Sequence, residues 1–176
     1  MSDAPTQTMK NARDAMFDQS TLLHLFEYKD GKLYWKNPTS RAVKFGSEAG
    51  TPRKDGRRQI ILFGKHYLTS RLVYFMFNGE FPEIVDHINR DYTDNRIENL
   101  RSTTRAQNNW NRKNQHNSTS GHKNVYWHSQ SQTWRVRVSV NGKRIGCGQY
   151  KDLELAQLVA IEARNKYHGV FAYHGC

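Results

Sequence analysis

A short apolar stretch that carries a carboxylate and an imidazole is the feature of this sequence that most restricts its fold. Residues 85–88 have the pattern of a short buried strand, and Asp86 and His87 lie within it. Asn99 follows His87 by 12 residues, and Asn108 follows Asn99 by nine. A carboxylate can bind a hard metal ion, and a histidine, with an ordinary pKa of about 6.5, can take a proton from water near neutral pH. Because hydrolysis of a phosphodiester bond needs an activated water and a stabiliser of negative charge, this layout predicts that chemistry.

The charge of the chain indicates what it binds. Lys and Arg number 27 against 16 Asp and Glu among 176 residues, which gives a net charge of +11. Such a surplus attracts polyanions and releases their counterions, so nucleic acid is the expected partner. No segment approaches the roughly 18 consecutive apolar residues of a membrane helix, and no membrane partner is expected. Cys147 and Cys176 form no CxxC pair, which disfavours a structural zinc site or a disulfide scaffold and suits a reducing compartment.

Hydrophobic periodicity and turn signals divide the chain into short helices and strands. The N-terminal part predicts a helix capped by Ser20 or Thr21, a strand over 32–35, loops over 37–56, a hairpin over 58–69, a helix over 70–77 and a strand over 83–88. Thr104 and Gln107 have the spacing of a capping box at the start of a helix. The tail predicts strands over 125–127, 134–140 and 143–150, and then a helix between Asp152 and Gly169.

Residues 84–112 resemble the HNH nuclease motif, in the phage variant whose last letter is Asn, with His87, Asn99 and Asn108 at the matching spacings. The resemblance implies a ββα-metal fold in which Asp86 and Asn108 bind Mg²⁺ or Mn²⁺, His87 is the general base and Asn99 orients His87. Two alternatives stay open at this point. Asn109 and Asn111 are rivals to Asn108 as the second ligand, and Asn95 is the rival to Asn99. The stretch upstream also resembles phage HNH homing endonucleases, with Ser70 where those usually have His.

Residues 121–172 resemble an AP2 domain, a DNA-binding module of plant transcription factors and of some phage HNH nucleases. The landmarks are Val125-Tyr126-Trp127, the alternating run 134–138, Asn141-Gly142, Gly148-Gln149-Tyr150 and Glu154-Leu155-Ala156. By this resemblance the DNA-facing positions are Lys123, Tyr126, His128, Arg137, Ser139, Arg144 and Gly146. The polar face of the central strand adds Arg135, and Arg105 and Arg112 lie where they could hold the DNA backbone near the metal.

The sequence therefore predicts an α+β protein with an N-terminal HNH ββα-metal domain and a C-terminal AP2-like domain of three antiparallel strands packed on one helix. The predicted limits are a flexible arm over 1–16, the nuclease domain over 17–112, a linker over 113–120 and the AP2-like domain over 121–176. The predicted function is metal-dependent cleavage of double-stranded DNA by a homing-type endonuclease, without a small-molecule cofactor, as a monomer or dimer. We expect it in the cytoplasm, that of the host if a phage encodes it. The alternatives are a non-catalytic, sequence-specific DNA-binding regulator and an RNA-binding or RNA-cutting protein.

Overall fold

The computed structural model describes residues 17–113 and 118–174. It contains two compact units, Met1–Arg101 and Ser102–Cys176. Small sheets and several helices occur together in the chain, consistent with the predicted α+β class. The predicted N-terminal arm and the middle of the predicted linker lie outside the described residues. No helix within the described ranges is long and apolar enough to span a bilayer.

The first unit is built from short hairpins and two helices around one apolar core. Its elements are α1 Gln19–Leu25, β1 Phe26–Lys29, β2 Lys32–Trp35, β3 Thr51–Pro52, β4 Arg58–Leu62, β5 Lys65–Leu68, α2 Thr69–Asn78, β6 Ile84–His87 and β7 Leu100–Thr103. Strands β1 and β2 form one antiparallel pair, β3, β4 and β5 form an antiparallel sheet in that order, and β6 neighbours β7. The division between the units falls inside β7. Buried side chains of α1, β2, β4 and α2, among them Leu22, Leu33, Ile60 and Leu72, form the core.

The start of the chain differs from the prediction in two places. Helix α1 is capped by Asp18, whose carboxylate accepts hydrogen bonds from the backbone N–H of Thr21 and from the hydroxyls of Ser20 and Thr21. The two residues predicted as caps therefore donate to the cap. Phe26 begins β1, which the sequence pattern missed because its apolar residue continues the run of the preceding helix.

The second unit joins a short helix to a sheet covered by a longer helix. Its elements are α3 Arg105–Asn111, β8 Val125–His128, β9 Thr133–Val140, β10 Lys143–Tyr150 and α4 Leu153–His168. The strands form an antiparallel sheet in the order β10-β9-β8, and Val125 and Val136 pack against Ala156 and Ala160 of α4. In this unit, local sequence signals predicted the start of α3 and both ends of α4 correctly. The capping box of Thr104 and Gln107, the Asp152 cap of α4 and its end at Gly169 are all confirmed.

The boundary between the units lies earlier in the chain than the predicted end of the nuclease domain at residue 112 and the predicted start of the AP2-like domain at residue 121. It falls between Arg101 and Ser102, so α3 groups with the C-terminal sheet. The physical reason is Trp110 of α3, whose ring stacks on His168 of α4 with 4.4 Å between ring centroids. Sequence composition gave no sign of this contact, because it joins residues that are far apart in the chain.

Candidate active site

The Asp-His pair lies at the C-terminal end of β6, and both side chains are buried. Asp86 is 5% exposed and His87 is 3% exposed. The carboxylate of Asp86 is held by Arg101 of β7, whose Nε and Nη2 both donate to Oδ2, at 3.0 and 2.8 Å. A buried carboxylate needs a positive partner, and here the guanidinium is that partner. Neighbouring side chains on a strand point to opposite faces, so His87 is expected to contact residues other than Arg101.

His87 makes its hydrogen bond with Asn95, in the segment that follows β6. Nε2 of His87 lies 3.0 Å from Oδ1 of Asn95, and Nδ2 of the same amide donates to the carbonyl of Thr93 at 3.5 Å. An amide oxygen only accepts, so this contact requires the proton on Nε2 and leaves the lone pair on Nδ1. The ring of Tyr92 also lies edge-on to the imidazole, with 5.7 Å between centroids.

The surroundings of His87 keep its imidazole neutral. Burial lowers its pKa from 6.5, and the nearby positive charge of Arg57 acts in the same direction. The hydrogen bond with Asn95 and the negative charges of Asp86 and Asp94 act the other way without reversing the shift. A histidine with a lowered pKa is unprotonated at neutral pH, which is the state a general base needs.

Asn99 has a different place from the one the resemblance implied. Its Oδ1 accepts from the backbone N–H of Asn89 at 2.9 Å, and its Nδ2 donates to Oδ1 of Asn89 and to the carbonyl of Asp94. Its backbone carbonyl accepts from the N–H of Ile88. Asn99 therefore closes the loop that follows His87, and the direct contact with the imidazole belongs to Asn95, the alternative that the sequence left open.

The β1–β2 hairpin supports the segment that carries Asn95. At its turn, Gly31 has φ +81°, and a Cβ added there would lie 2.7 Å from the backbone nitrogen of Arg96 and 2.9 Å from the carbonyl carbon of Asn95. The hydroxyl of Tyr28 accepts a hydrogen bond from the backbone N–H of Ile97 at 3.1 Å. In the sequence, Asp30-Gly31 has only the pattern of a turn. The structure adds that glycine is needed here, because no other residue allows this close approach of two backbones.

The donors offered for a metal are oxygens. Among residues 17–113 and 118–174, no cluster of three or more His, Cys, Asp or Glu side chains is placed to hold a metal ion. The Asp86 side chain already binds a cation, the Arg101 guanidinium, and its oxygen donors fit Mg²⁺ or Mn²⁺, which keep several water ligands. Asn108, the predicted second ligand, lies half-buried on α3. Its rival Asn109 is exposed, and Asn111 is buried.

The outer face of the C-terminal sheet carries most of the residues predicted to face DNA. Val136 and Val138 are fully buried, so Arg135, Arg137 and Ser139, which alternate with them on β9, belong to the opposite face. The strand register pairs Arg135 with Tyr126 and Ser139 with Arg144, and the Arg137 guanidinium lies 5.3 Å from the centre of the Tyr126 ring. Gly146 pairs with Arg137, and His128 shares the face by alternation along β8.

Three further cationic residues of the predicted DNA-facing set lie elsewhere in the second unit. Lys123 points its ammonium to the end of α3, where Nζ donates to the carbonyls of Trp110 and Arg112, each at 2.6 Å. A lysine at the last carbonyls of a helix stabilises that end, and its predicted contact with DNA stays a prediction. Arg105 and Arg112 are exposed at the two ends of α3, where a phosphate can reach them.

Comparison with known proteins identifies the segment that contains Asp86 and His87. Residues 67–110, which run from β5 through β6 and β7 to Trp110, match the family model described as HNH endonuclease. Protein 3.8 of Escherichia phage T7 is 31% identical over 99 residues, which cover 54% of this chain and 79% of that protein. No solved structure matches. The chain belongs to the family of phage T7 Protein 3.8 and carries an HNH endonuclease domain at residues 67–110.

Proposed function

We propose that this protein is a metal-dependent, homing-type endonuclease that hydrolyses phosphodiester bonds in double-stranded DNA. The observation that carries the proposal is the buried Asp86–His87 pair, with its oriented partners, inside the segment that matches HNH endonucleases. A carboxylate held beside a neutral, hydrogen-bonded imidazole is the minimum for hydrolysis by an activated water. The net charge of +11 favours a polyanionic substrate.

In the proposed reaction, His87 accepts a proton from the attacking water at Nδ1. Asn95 keeps the imidazole in the required tautomer and orientation through its contact with Nε2. Asn99 holds the loop after His87 closed, so that the imidazole keeps its position. Asp86 and Asn108 would hold the metal ion. A bound Mg²⁺ or Mn²⁺ supplies positive charge that stabilises the developing charge on the phosphate and the leaving oxygen.

We further propose that the outer face of the C-terminal sheet anchors the enzyme on DNA. Tyr126, Arg135, Arg137, Ser139 and Arg144 combine cations, a hydroxyl and an aromatic ring on one face. Arginine reads guanine edges and phosphates, and a strand pair fits the major groove of B-form DNA. The same unit would set target choice through base contacts, while exposed cations such as Arg105 and Arg112 add affinity through phosphates.

Cleavage of supercoiled plasmid and of phage genomic DNA with Mg²⁺, Mn²⁺ or a chelator tests the proposal. We expect nicked or linear product only with metal, and at least a 100-fold loss of rate in His87→Ala, as for removal of a general base. DNA binding, measured by gel shift, should stay unchanged in this variant. His66→Ala, which removes an exposed histidine of β5, is the matched control and should cleave like the wild type.

The same assay separates the alternatives. DNA binding without cleavage in the presence of either metal would favour the non-catalytic regulator. A sheet that binds in the major groove should prefer duplex DNA, because the deep major groove of A-form RNA does not admit a strand pair. Preferential binding or cleavage of structured RNA in competition with duplex DNA would therefore favour an RNA-binding or RNA-cutting protein.

A further inference from the structure

Helix α3 cannot be stable by itself. It has seven residues, Arg105–Asn111, and three of them are asparagines, which have low helix propensity. Isolated helices shorter than roughly 12 residues are marginal in water even when their sequences favour the helix. Trp110 is the only large apolar side chain that the helix contains. The position of α3 therefore depends on its tertiary contacts, those of Trp110 among them, and on the caps at its two ends.

The contacts of Trp110 lie in the second unit. Its indole stacks on the imidazole of His168 with an interplanar angle of 8°, and its Nε1 donates to the carbonyl oxygen of Ser139 at 3.1 Å. Nε2 of His168 donates to the same oxygen, also at 3.1 Å. One carbonyl of β9 thus binds the α3 indole and the last residue of α4 together. His168 itself is 4% exposed, which limits the freedom of its ring.

The C-terminal end of α3 is capped from the same side. The ammonium of Lys123 donates to the carbonyls of Trp110 and Arg112. The backbone of Lys123 is held in turn by Arg164 of α4, whose Nη1 donates to the Lys123 carbonyl at 2.6 Å. Arg164 is 3% exposed, so this support is internal to the second unit. A cation at the last carbonyls of a helix stabilises that end.

We propose that Lys123, Ser139, Arg164 and His168 form a cradle that positions α3 for catalysis, with Trp110 as the positioning residue. The proposal rests on the proposed function, in which α3 supplies the second metal ligand. Its consequence is that the C-terminal unit serves the cleavage step as well as target choice. The side chain of Ser139 belongs to the proposed DNA-facing side of β9, so the residue that meets DNA also binds the α3 indole.

Substitutions of Trp110 in the full-length protein test the cradle. Trp110→Phe keeps a ring that can stack on His168 and removes the donor to Ser139, whereas Trp110→Ala removes both contacts. Without metal, we expect hydrogen exchange of the α3 amides to accelerate about 5-fold in the Phe variant and about 50-fold in the Ala variant. Exchange in β8, β9 and β10 should stay near the wild-type rate. Trp127→Phe, at a partly exposed position of β8, is the matched control and should leave α3 unchanged.

Metal binding provides the functional readout. The Mn²⁺ concentration at half-saturation, followed by the paramagnetic resonance of free Mn²⁺, should rise about 10- to 100-fold in Trp110→Ala, as for residues that orient a metal ligand. If Trp110 acts through Asn108, the double variant Trp110→Ala/Asn108→Ala should bind Mn²⁺ no more weakly than Asn108→Ala alone.

Wild-type exchange of α3 in both Trp110 variants would overturn the cradle, and additive losses of Mn²⁺ affinity would overturn the route through Asn108. Failure of the wild-type protein to bind Mn²⁺ or to cleave DNA would refute the proposed function instead. The exchange comparison without metal decides in that case whether the cradle positions α3.

Discussion

Replacing Arg101 by Gln is expected to destabilise the first unit and to make its stability depend on Mg²⁺. The substitution removes the guanidinium that donates twice to Oδ2 of Asp86, a carboxylate that is 5% exposed. Loss of one partner of a fully buried ion pair costs roughly 3–5 kcal/mol. The side chain of Arg101 is 15% exposed, so water can reach part of the site, and we expect about 2–3 kcal/mol.

Mg²⁺ should restore more stability to Arg101→Gln than it adds to the wild type. In the wild type a metal ion at the proposed site would compete with the Arg101 guanidinium for Oδ2, and the two cations would repel each other. Without the guanidinium the carboxylate is available to the ion, and a ligand at 100 times its Kd stabilises a protein by about 2.7 kcal/mol. Hydrogen exchange of β6 and β7 peptides across a urea series, with and without Mg²⁺, measures both effects in the first unit.

The matched control is Arg96→Gln, which removes a similar two-bond contact with Asp94 at an exposed site. Arg96 is 52% exposed, so its loss should change stability little and should not alter the effect of Mg²⁺. Equal stability of Arg101→Gln and the wild type would show that the buried pair contributes no net stability. Equal Mg²⁺ stabilisation of the two proteins would refute Asp86 as a metal ligand.

Three other predictions follow from the loop around His87 and from His168. Asn95→Ala should slow cleavage about 10- to 100-fold with little change in folding, because it removes the contact with His87. Asn99→Ala should instead cost about 2–3 kcal/mol of stability, since it removes three side-chain hydrogen bonds. The reverse order in cleavage and urea-unfolding assays would restore Asn99 as the residue that orients His87. Gly31→Ala should lower the stability of the first unit by about 2 kcal/mol more than Gly64→Ala does. Both glycines have positive φ, but of the two only Gly31 lies against another backbone. Equal losses of stability in the two variants would exclude that contact as the cause. Burial lowers the pKa of His168 from 6.5, so the unfolded chain binds the proton more readily. The second unit should therefore be fully stable above about pH 7 and lose stability as the pH falls below 6.5, by at most about 1.4 kcal/mol per pH unit, and His168→Gln should remove most of that slope in unfolding measurements.

Local signals in the sequence were reliable where the stabilising partners are close in the chain. The capping box of Thr104 and Gln107 joins residues three positions apart, and the strict alternation of 134–140 selects one face of β9 for the core. The Asp86–His87 pair was likewise predicted to lie in a short apolar strand, and both residues are the last two of β6. The first helix shows the limit of such signals, since Asp18 competed with Ser20 and Thr21 as the cap and accepts hydrogen bonds from both.

Asn95 and Asn99 show what a sequence leaves undecided. Each is an amide a short distance after His87, and each can donate and accept hydrogen bonds. Closure of the loop places Asn99 against Asn89 and Asp94 and turns Asn95 toward the imidazole. Gly31 takes part in this outcome, although it lies more than fifty residues earlier in the chain.

The sequence by itself determined the chemistry: a carboxylate and an imidazole at the end of one strand, a strongly basic chain, and an alternating sheet with arginines on one side. The tertiary structure decided which residues act on which. It paired Asp86 with Arg101 and His87 with Asn95, and it placed the ammonium of Lys123 at the last carbonyls of α3. The physical reason is that donors and acceptors of one kind are interchangeable in a sequence. Only the packing of distant segments selects which of them meet.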